Sequence, residues 1–395
     1  MKIANPTILN PEVQEYIYRN TVNNVSKLAF TKNPFPFIDF KIILNQIEAR
    51  AKCKDKLCLW FNLRNIIYPS KISIEQTSSD TTAQYKASLV SGRSLIDMTG
   101  GFGVDSYYFS KKMKVVIHCE IDASLSEIVS HNFKLLRAKN ILCKLGDSAS
   151  IITSLNANLD WIYVDPSRRN ESKGKVFMLS DCAPDVPSLL PTYFNYTKNI
   201  LLKTAPLLDI AAGLSELQNV KAIHIVAIEN EVKELLWVIE KNYSSPIVIK
   251  TINSKKETCQ IFQFVHNSSV IANLGLPKKY LYEPNSAIMK SGGFAEVTAQ
   301  FPLEKLHQHS HLYTSDDLIE FPGRVFQIEN IIDYSKKEMR EHLSKQKANI
   351  TTRNFPDSVD TIRNKWNIKD GGNRYCFFTT DMNESKIVLL CTKIN

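Results

Sequence analysis

The sequence lacks the features that mark membrane, secreted and repeat proteins. No apolar run approaches the roughly 20 residues that a membrane-spanning helix needs, so we expect no membrane partner. The first residues show no basic stretch followed by an apolar segment, which argues against a secretory signal. Internal repeats and low-complexity tracts are also missing. These absences predict a globular protein of the cytoplasm.

The eight cysteines include no Cys-x-x-Cys pair, and several lie inside apolar runs. We therefore interpret them as reduced side chains of the core, where a thiol behaves as a small hydrophobic group. The formal net charge is +9, which favours an anionic partner such as RNA, although a lysine-rich genome would shift composition in the same direction. A length of 395 residues suggests two or three compact units.

The chain divides by its pattern into a helical start and a longer α/β region. Residues 1–68 show apolar positions at helical spacing and predict an N-terminal helical cap. From residue 94 onward, apolar runs alternate with helical segments, as is typical of parallel strands buried on both faces. The fold expected over 69–267 is a doubly wound, Rossmann-like α/β sheet. Within this region we expect a strand at 71–76 and a helix at 229–241.

A linker is expected at 268–279, after which the rhythm of the sequence changes. The tail from Val325 alternates short strands and helices and predicts a small α+β module. Its first helix has a capping box, formed by Ser335 and Glu338.

The strongest signal for a ligand is a glycine-rich turn between a strand and a helix. The first strand ends at Asp97, and Thr99, Gly101 and Gly103 follow before a helix begins near Val104. Glycines let the backbone pass close to a ligand, and a helix N-terminus offers free N–H groups to an anion. A dinucleotide fingerprint would need a third glycine, which this turn lacks. The spacing Asp-x-Thr-x-Gly-x-Gly instead resembles motif I of class I S-adenosylmethionine (SAM) dependent methyltransferases.

Three more acidic residues stand at strand ends where such an enzyme would need them. Glu120 lies 23 residues past Asp97 at the end of the second strand, where a carboxylate can accept the ribose hydroxyls. Asp147 follows the third strand and would face the adenine amino group, and Asp165 follows the fourth. Because ligands bind beyond the carboxyl ends of parallel strands, the four acids should converge on one crevice. The sequence therefore predicts SAM as the cofactor.

The turn after the fourth strand carries the expected catalytic residues. Asp165, with its backbone fixed by Pro166, would accept a hydrogen bond from the methyl acceptor, while Arg168 and Arg169 would contact substrate or pair with nearby acids. Methylation of a pyrimidine carbon would need a cysteine nucleophile near the fourth or fifth strand end, and the fifth strand has none. A nitrogen or oxygen acceptor is favoured. Lys203, at the end of that fifth strand, is either a phosphate contact or a surface lysine.

The triplet His307-x-His309-x-His311 alternates as metal ligands on a strand would, but no cysteine lies nearby. We favour surface or hinge histidines and expect no metal.

The ordered motifs resemble one known family. The stretch before the first strand, the glycine-rich turn, the Asp165 turn, the segment KTAPLLDI and residues 280–293 together resemble class I methyltransferases that carry a C-terminal THUMP-like domain. The resemblance covers about residues 70–395. It implies a seven-stranded methyltransferase sheet, a small ferredoxin-like segment at 280–323 and a THUMP-like domain at 324–394. It also places Gln76, Thr77 and Ser78 at the upstream motif near the methionine end of the cofactor, with Gln76 as the binding residue.

THUMP domains belong to RNA-modifying enzymes, so the resemblance implies an RNA substrate, such as tRNA or rRNA. Residues 331–375 contain ten Lys or Arg against six Asp or Glu, with Phe355, Trp366 and Tyr375 interleaved. That composition suits either an RNA surface with stacking aromatics or a solvated basic face over core aromatics. Two rival functions stay open at this point: methylation of a protein or small molecule, and SAM binding without catalysis in an RNA-associated protein.

Overall fold

The computed structural model describes residues 6–21, 25–168 and 178–394. The chain forms two compact units. The first comprises Met1–Lys221 and Leu236–Ser244, and the second comprises Ala222–Leu235 and Ser245–Asn395. No helix in the described ranges is both long and apolar enough to span a bilayer.

The first unit begins with the expected helical cap. Its helices are α1 Pro11–Asn20, α2 Val25–Leu28, α3 Phe40–Cys53, α4 Cys58–Asn62, α5 Lys71–Gln76 and α6 Asp80–Ser88. The buried face of the cap is aliphatic and includes Val13, Ile17, Ile43 and Ile47. The cap is joined to the sheet region by Asn132, whose amide donates to Ile67 O at 2.8 Å while its oxygen accepts from Ile67 N at 3.0 Å.

The strand expected at 71–76 was wrong, since this segment is the helix α5. Ser70 stands at its N-cap and accepts a hydrogen bond from Ser73 N at 3.2 Å. The alternation of Ile72 and Ile74 resembles a strand, but only Ile74 is buried. A serine cap therefore outweighs a short alternating pattern here.

Five parallel strands form the sheet of the first unit in the order β3-β2-β1-β4-β7. The five strands are β1 Ser94–Asp97, β2 Val115–Glu120, β3 Ile141–Leu145, β4 Leu159–Val164 and β7 Thr197–Thr204. Two further strands of two residues each, β5 Ser167–Arg168 and β6 Cys182–Ala183, pair only with each other. The helices along these strands are α7 Val104–Phe109, α8 Ala123–Leu135, α9 Ser148–Leu155, α10 Val186–Tyr193 and α11 Ile210–Glu216.

Two long strands follow, β8 Val220–Ile228 and β9 Glu231–Glu240, and each contributes residues to both units. The helix expected at 229–241 was therefore wrong. Glu229 and Asn230 join the strands with φ values of 49° and 63°. Positive φ at both central residues is the signature of a type I′ hairpin turn, which leads into a strand.

Packing fixes the second half of β9 beside β7 and α11. Trp237 is fully buried, and its indole N–H donates to Thr204 Oγ1 at 3.0 Å. A Cβ on Gly213 would lie 2.4 Å from the Trp237 ring, so this helix position accepts only glycine.

The second unit adds β10 Val248–Ser254, parallel to β8, and β11 Cys259–Val265, antiparallel to β10. Nine strands thus enter this α/β sheet, and the two that the sequence did not predict are β9 and β10. The α/β fold class is confirmed.

A separate seven-stranded sheet holds the C-terminal part of the second unit in the order β13-β14-β12-β15-β18-β17-β16. Its strands are β12 Tyr280–Pro284, β13 Glu304–Lys305, β14 Tyr313–Ser315, β15 Gly323–Asp333, β16 Asn349–Arg353, β17 Arg374–Thr380 and β18 Lys386–Lys393. Four helices accompany them: α12 Ser286–Ser291, α13 Phe294–Gln300, α14 Lys336–His342 and α15 Val359–Trp366. Because β12 pairs with β15, residues before and after position 323 share one sheet.

Candidate cofactor and catalytic site

The glycine-rich turn lies between β1 and α7, and its glycines serve different purposes. A Cβ on Gly100 would lie 2.1 Å from the His118 ring, and one on Gly103 would lie 2.6 Å from Phe133. These two positions are therefore glycine because the chain packs tightly there. Gly101 has φ +53°, and its added Cβ would meet only Thr99 O at 3.8 Å. The space over Gly101 is open, as a turn that cradles a ligand requires.

Asp97 lies buried next to this turn and hydrogen-bonds to it. It is 1% exposed, and its carboxylate accepts hydrogen bonds from Ser106 Oγ at 2.6 Å and from Thr99 N at 3.1 Å. Burial raises the pKa of Asp97 to about 7, against the opposing effect of the Ser106 hydrogen bond. Each of its oxygens accepts a hydrogen bond within the protein, so Asp97 fixes the shape of the turn from a buried position, and its contact with the cofactor stays a prediction.

Ser106 continues the network to a second buried ionisable group. Its hydroxyl lies 3.1 Å from His118 Nδ1, and burial lowers the pKa of His118 to about 4. The imidazole is therefore neutral at physiological pH, and it packs directly beneath Gly100. Sequence analysis did not single out Ser106 or His118, although both lie within reach of the motif that it identified.

Glu120 ends β2 and faces the turn. Its Oε2 accepts from Gly101 N at 3.0 Å, and its Oε1 accepts from Asp122 N at 2.8 Å. A carboxylate has about four acceptor positions, so one on each oxygen is still available for a ribose hydroxyl. The expected role of Glu120 fits this geometry.

Asp147 follows β3 and caps helix α9. One of its oxygens, Oδ2, accepts from both the backbone N and the hydroxyl of Ser150 at 2.9 Å. These hydrogen bonds lower the pKa of Asp147 and keep the carboxylate ionised. The side chain is exposed, which suits the expected contact with an amino group.

Asp165 lies at the carboxyl end of β4, and two neighbours hold it. Its backbone N–H donates to Thr99 Oγ1 at 2.7 Å, and its Oδ2 lies 2.5 Å from Lys203 Nζ. Thr99 therefore connects the glycine-rich turn to the Asp165 turn. Lys203, left open as a phosphate contact or a surface lysine, is an ion-pair partner of Asp165, with its side chain 15% exposed.

Four other residues were expected in the site: Gln76, Pro166, Arg168 and Arg169. Pro166 follows Asp165 directly, and the backbone of Arg168 lies in β5 opposite Cys182. Arg169 lies outside the described residues. Gln76 is exposed at the last position of α5, so its assignment to the cofactor stays a prediction.

The residue that connects the upstream segment to the turn is Ser78. Its hydroxyl donates to Asp105 Oδ2 at 2.9 Å and accepts from Lys86 Nζ at 2.8 Å. Tyr163 O–H also donates to Asp105 Oδ2, at 2.8 Å, and Lys86 forms an ion pair with Asp105 at 3.2 Å. Lys86 is completely buried. A lysine inside a helical pattern gives no sign in sequence that it will be buried, so this cluster was missed.

The three histidines at 307–311 each have protein partners. His307 donates from Nε2 to Glu384 at 2.9 Å and accepts at Nδ1 from Asn354 at 2.8 Å. His309 donates its backbone N–H to the same His307 ring nitrogen at 3.1 Å. His311 stacks on Phe294 with ring centroids 3.5 Å apart. Among the described residues, no group of three or more His, Cys, Asp or Glu is arranged to hold a metal.

The C-terminal basic segment is less free than its composition suggests. Phe355 and Trp366 pack in the hydrophobic core with Phe378, so the alternative of core aromatics is the one observed. Arg353 is bound to the buried Glu283 at 3.0 Å, and Arg363 is paired with Asp370 at 2.5 Å. Arg353 is therefore a structural residue and a poor candidate for an RNA contact.

Comparisons with known proteins identify a relative that covers nearly the whole chain. Residues 280–322 match a ferredoxin-like domain model, and residues 323–393 match a THUMP domain-like model. No curated protein matches the sequence. One relative is a protein from Porphyromonas gingivalis W83 that is provisionally named a methyltransferase and has a crystal structure. Its sequence is 30% identical to that of this chain. The match covers 97% of this chain and 98% of that one, with a TM-score of 0.85. The chain belongs to this methyltransferase family.

Other solved methyltransferases resemble only part of the family fold. A protein from Pyrococcus horikoshii, provisionally named an RNA methyltransferase, is 16% identical to this chain in sequence. The match covers 48% of this chain and 98% of that one, with a TM-score of 0.33. An rRNA methylase from Streptococcus thermophilus is 13% identical, with 41% and 94% covered and a TM-score of 0.30. For the methyltransferase described here, the full-length match carries the family assignment.

Proposed function

We propose that this methyltransferase uses SAM to methylate a nitrogen or oxygen atom of an RNA substrate in the cytoplasm. The observation that carries the proposal is the alignment of four acids at the carboxyl ends of four adjacent parallel strands, β3-β2-β1-β4, around an open glycine turn. Ligands of doubly wound sheets bind at this edge.

The residues present fit the cofactor. Glu120 has free acceptor capacity on both carboxylate oxygens, Asp147 is exposed and ionised, and Gly101 leaves space beside the backbone. In this assignment, Glu120 would hold the ribose hydroxyls and Asp147 the adenine amino group. SAM, when bound, supplies a methyl group on a positively charged sulfur.

The protein contributes alignment of the acceptor. Methyl transfer is an in-line displacement, so its rate depends on how well the acceptor lone pair is positioned. Asp165 would accept a hydrogen bond from the acceptor N–H or O–H and orient its lone pair. Lys203 and Thr99 hold Asp165 in place on two sides. Lys203 is thus a positioning residue in this proposal.

Support for RNA comes from the THUMP-like match and from the net charge of +9. On helix α14, the side chains of Lys336, Lys337 and Arg340 are exposed, and none forms an ion pair within the described ranges. These three replace Arg353 as candidate contacts in the C-terminal domain.

Methyl incorporation from labelled SAM tests the proposal. The protein is incubated with RNA, protein and small-molecule fractions, and Asp165→Asn serves as the control. Label in RNA that depends on Asp165 supports the proposal. Label found only in protein or only in small molecules would mean that RNA is not the substrate. SAM binding without label in any fraction would mean that the protein binds SAM but does not transfer the methyl group.

A further inference from the structure

A basic groove runs along the edge strand β3, apart from the crevice at the strand ends. Strand β3 is the last in the order of its sheet. Beside it lies a cavity of about 530 Å³, a size typical of ligand sites. We call it the β3 groove, and it is lined by Ser130, Phe133, Lys134, Arg137, Ala138, Lys139, Ile141, Leu142, Cys143 and Lys144.

The described lining of the β3 groove carries charge of one sign. Its four ionised side chains are cationic, all four are exposed, and no carboxylate among the residues that the structure describes lines the cavity. Within residues 6–21, 25–168 and 178–394, none of them has an ion-pair or hydrogen-bond partner for its side chain. The four are Lys134, Arg137, Lys139 and Lys144. This differs from the C-terminal domain, where Arg353 and Arg363 are bound to acids.

Two ordinary explanations account for only part of this charge. Lys134 lies in the last turn of α8, where a cation stabilises the helix dipole. Charged side chains on an edge strand also prevent pairing with another chain, but charge of either sign serves that purpose. Neither explanation requires Lys139 and Lys144 both to be positive.

We propose that the β3 groove binds a single-stranded segment of the RNA substrate, with Lys139 and Lys144 each binding a phosphate of the same strand. This inference rests on the proposed function and gives the substrate a second binding region on the catalytic unit. Lys144 lies near the carboxyl end of β3, and Lys139 lies in the turn that precedes the strand. The apolar floor includes Leu142, which is 50% exposed and offers a surface to unpaired bases.

The groove is close enough to the catalytic turn for one RNA strand to reach both. Across the sheet, three strand spacings, or about 14 Å at 4.8 Å per strand, separate β3 from β4, and Lys144 of the groove lies near the carboxyl end of β3. A peptide strand added to the edge is the competing occupant, but β3 offers only five residues and carries the charged Lys144.

Charge reversal in the full-length protein tests the proposal. The variant Lys139→Glu/Lys144→Glu keeps a charged edge strand while removing the positive charge. The matched control is Lys41→Glu/Lys112→Glu, which reverses two exposed lysines of the first unit that have no ion pair in the described ranges. Binding of labelled oligouridylate is measured against salt concentration, and binding of S-adenosylhomocysteine shows that the fold is intact. If the reversed variant loses that fold, Lys139→Gln/Lys144→Gln takes its place.

The expected result is that the groove variant binds RNA at least about tenfold more weakly than wild type. Its slope of log K against log salt should flatten by about 1.4, because each phosphate that the protein no longer neutralises accounts for about 0.7. Lys139→Arg/Lys144→Arg should retain binding, since the positive charge is kept at both positions.

Three outcomes would count against the groove. Equal RNA affinity in wild type, groove variant and control would overturn it while leaving RNA methylation by the wild type intact. Polyglutamate that competes better than RNA would assign the groove to an acidic protein. A wild type that neither binds nor methylates RNA would remove the proposed function as well.

Discussion

Lys203 Nζ lies 2.5 Å from Asp165 Oδ2, so the ends of the adjacent strands β7 and β4 meet in one ion pair. The Asp165 side chain is 33% exposed, and the Lys203 side chain is 15% exposed. A lysine bound in this way restricts the rotamers of the carboxylate that would face the methyl acceptor.

Replacing Asp165 by asparagine should reduce turnover by about 100-fold or more, because a carboxylate that orients or deprotonates an acceptor contributes on that scale. Cofactor affinity should stay within a few-fold of wild type, since Glu120 and Asp147 are unchanged. Single-turnover methylation and calorimetry with S-adenosylhomocysteine measure the two quantities. Wild-type turnover in the variant would remove Asp165 from the mechanism.

Replacing Lys203 tests positioning separately. Lys203→Met should lower kcat and leave cofactor affinity unchanged, because Asp165 loses the partner that orients it. Lys203→Arg should recover part of the lost kcat, since a cation is restored at the same strand end. If Lys203 instead binds RNA phosphate, the methionine variant will raise KM for RNA with little change in kcat.

Glu120→Ala should weaken cofactor binding by about 1–3 kcal/mol, because the ribose hydroxyls and Gly101 N would lose an acceptor. Calorimetry with S-adenosylhomocysteine gives the value directly. Gln76→Ala in the same experiment shows whether the exposed end of α5 contributes. An unchanged affinity for Glu120→Ala would contradict the ribose assignment.

The buried pair Asp97 and His118 predicts an unusual pH dependence. In the unfolded chain, Asp97 has a pKa near 3.9 and His118 has a pKa near 6.5, whereas in the fold the pKa values are about 7 and about 4. Between these limits, folding adds one proton at Asp97 and removes one at His118. The two effects on stability oppose each other: the Asp97 contribution falls as pH rises through this window, and the His118 contribution rises.

Removing His118 should expose the Asp97 effect. We expect His118→Gln to lose stability relative to wild type by about 1.4 kcal/mol for each pH unit between about pH 4.5 and 6.5. Urea denaturation across this range measures it, with Asp97→Asn expected to show the opposite trend. A pH-independent difference would mean that the two groups keep their ordinary pKa values in the fold.

The buried ion pair between Lys86 and Asp105 should be costly to break from one side. Lys86→Met leaves Asp105, whose side chain is 12% exposed, without its cation and should cost about 3–5 kcal/mol. In the double variant Lys86→Met/Asp105→Asn, we expect much of this loss to be recovered, because Ser78 and Tyr163 can still donate to the amide oxygen. Urea denaturation of the wild type, the two single variants and the double variant gives the four free energies of unfolding. Additive losses in the cycle would show that the pair is not coupled.

The parallel strands and their acidic ends could be predicted from the sequence because both depend on local pattern. Apolar runs identified β1 to β4, and an acidic residue stands at the end of each run or within two residues of it, as at Asp147 and Asp165. A local pattern does not show which way each side chain faces. Asp97 occupies the motif position at which a ligand contact is expected, yet both of its carboxylate oxygens accept hydrogen bonds from Thr99 and Ser106.

The wrong helix at 229–241 has a physical reason. Its sequence spaces charged and apolar residues much as an amphipathic helix does, and the turn before it lacks the Asn-Gly signal of a hairpin. The structure instead uses Glu229 and Asn230 in left-handed conformations. The strand is favoured because it packs Trp237 against Gly213, a residue that is not its neighbour in the sequence. Long-range packing of that kind is not visible in a local pattern.

The pairing of β12 with β15 bears on how this protein family can be recombined. The ferredoxin-like and THUMP-like segments are adjacent in sequence at position 323, but their strands share hydrogen bonds from Tyr280↔Gln327 to Pro284↔Gly323. Glu283 of the first segment also binds Arg324 and Arg353 of the second. A chimera joined at 323 would therefore place two unrelated sheet edges against each other, and a transplanted THUMP-like domain would need to bring its ferredoxin-like neighbour with it.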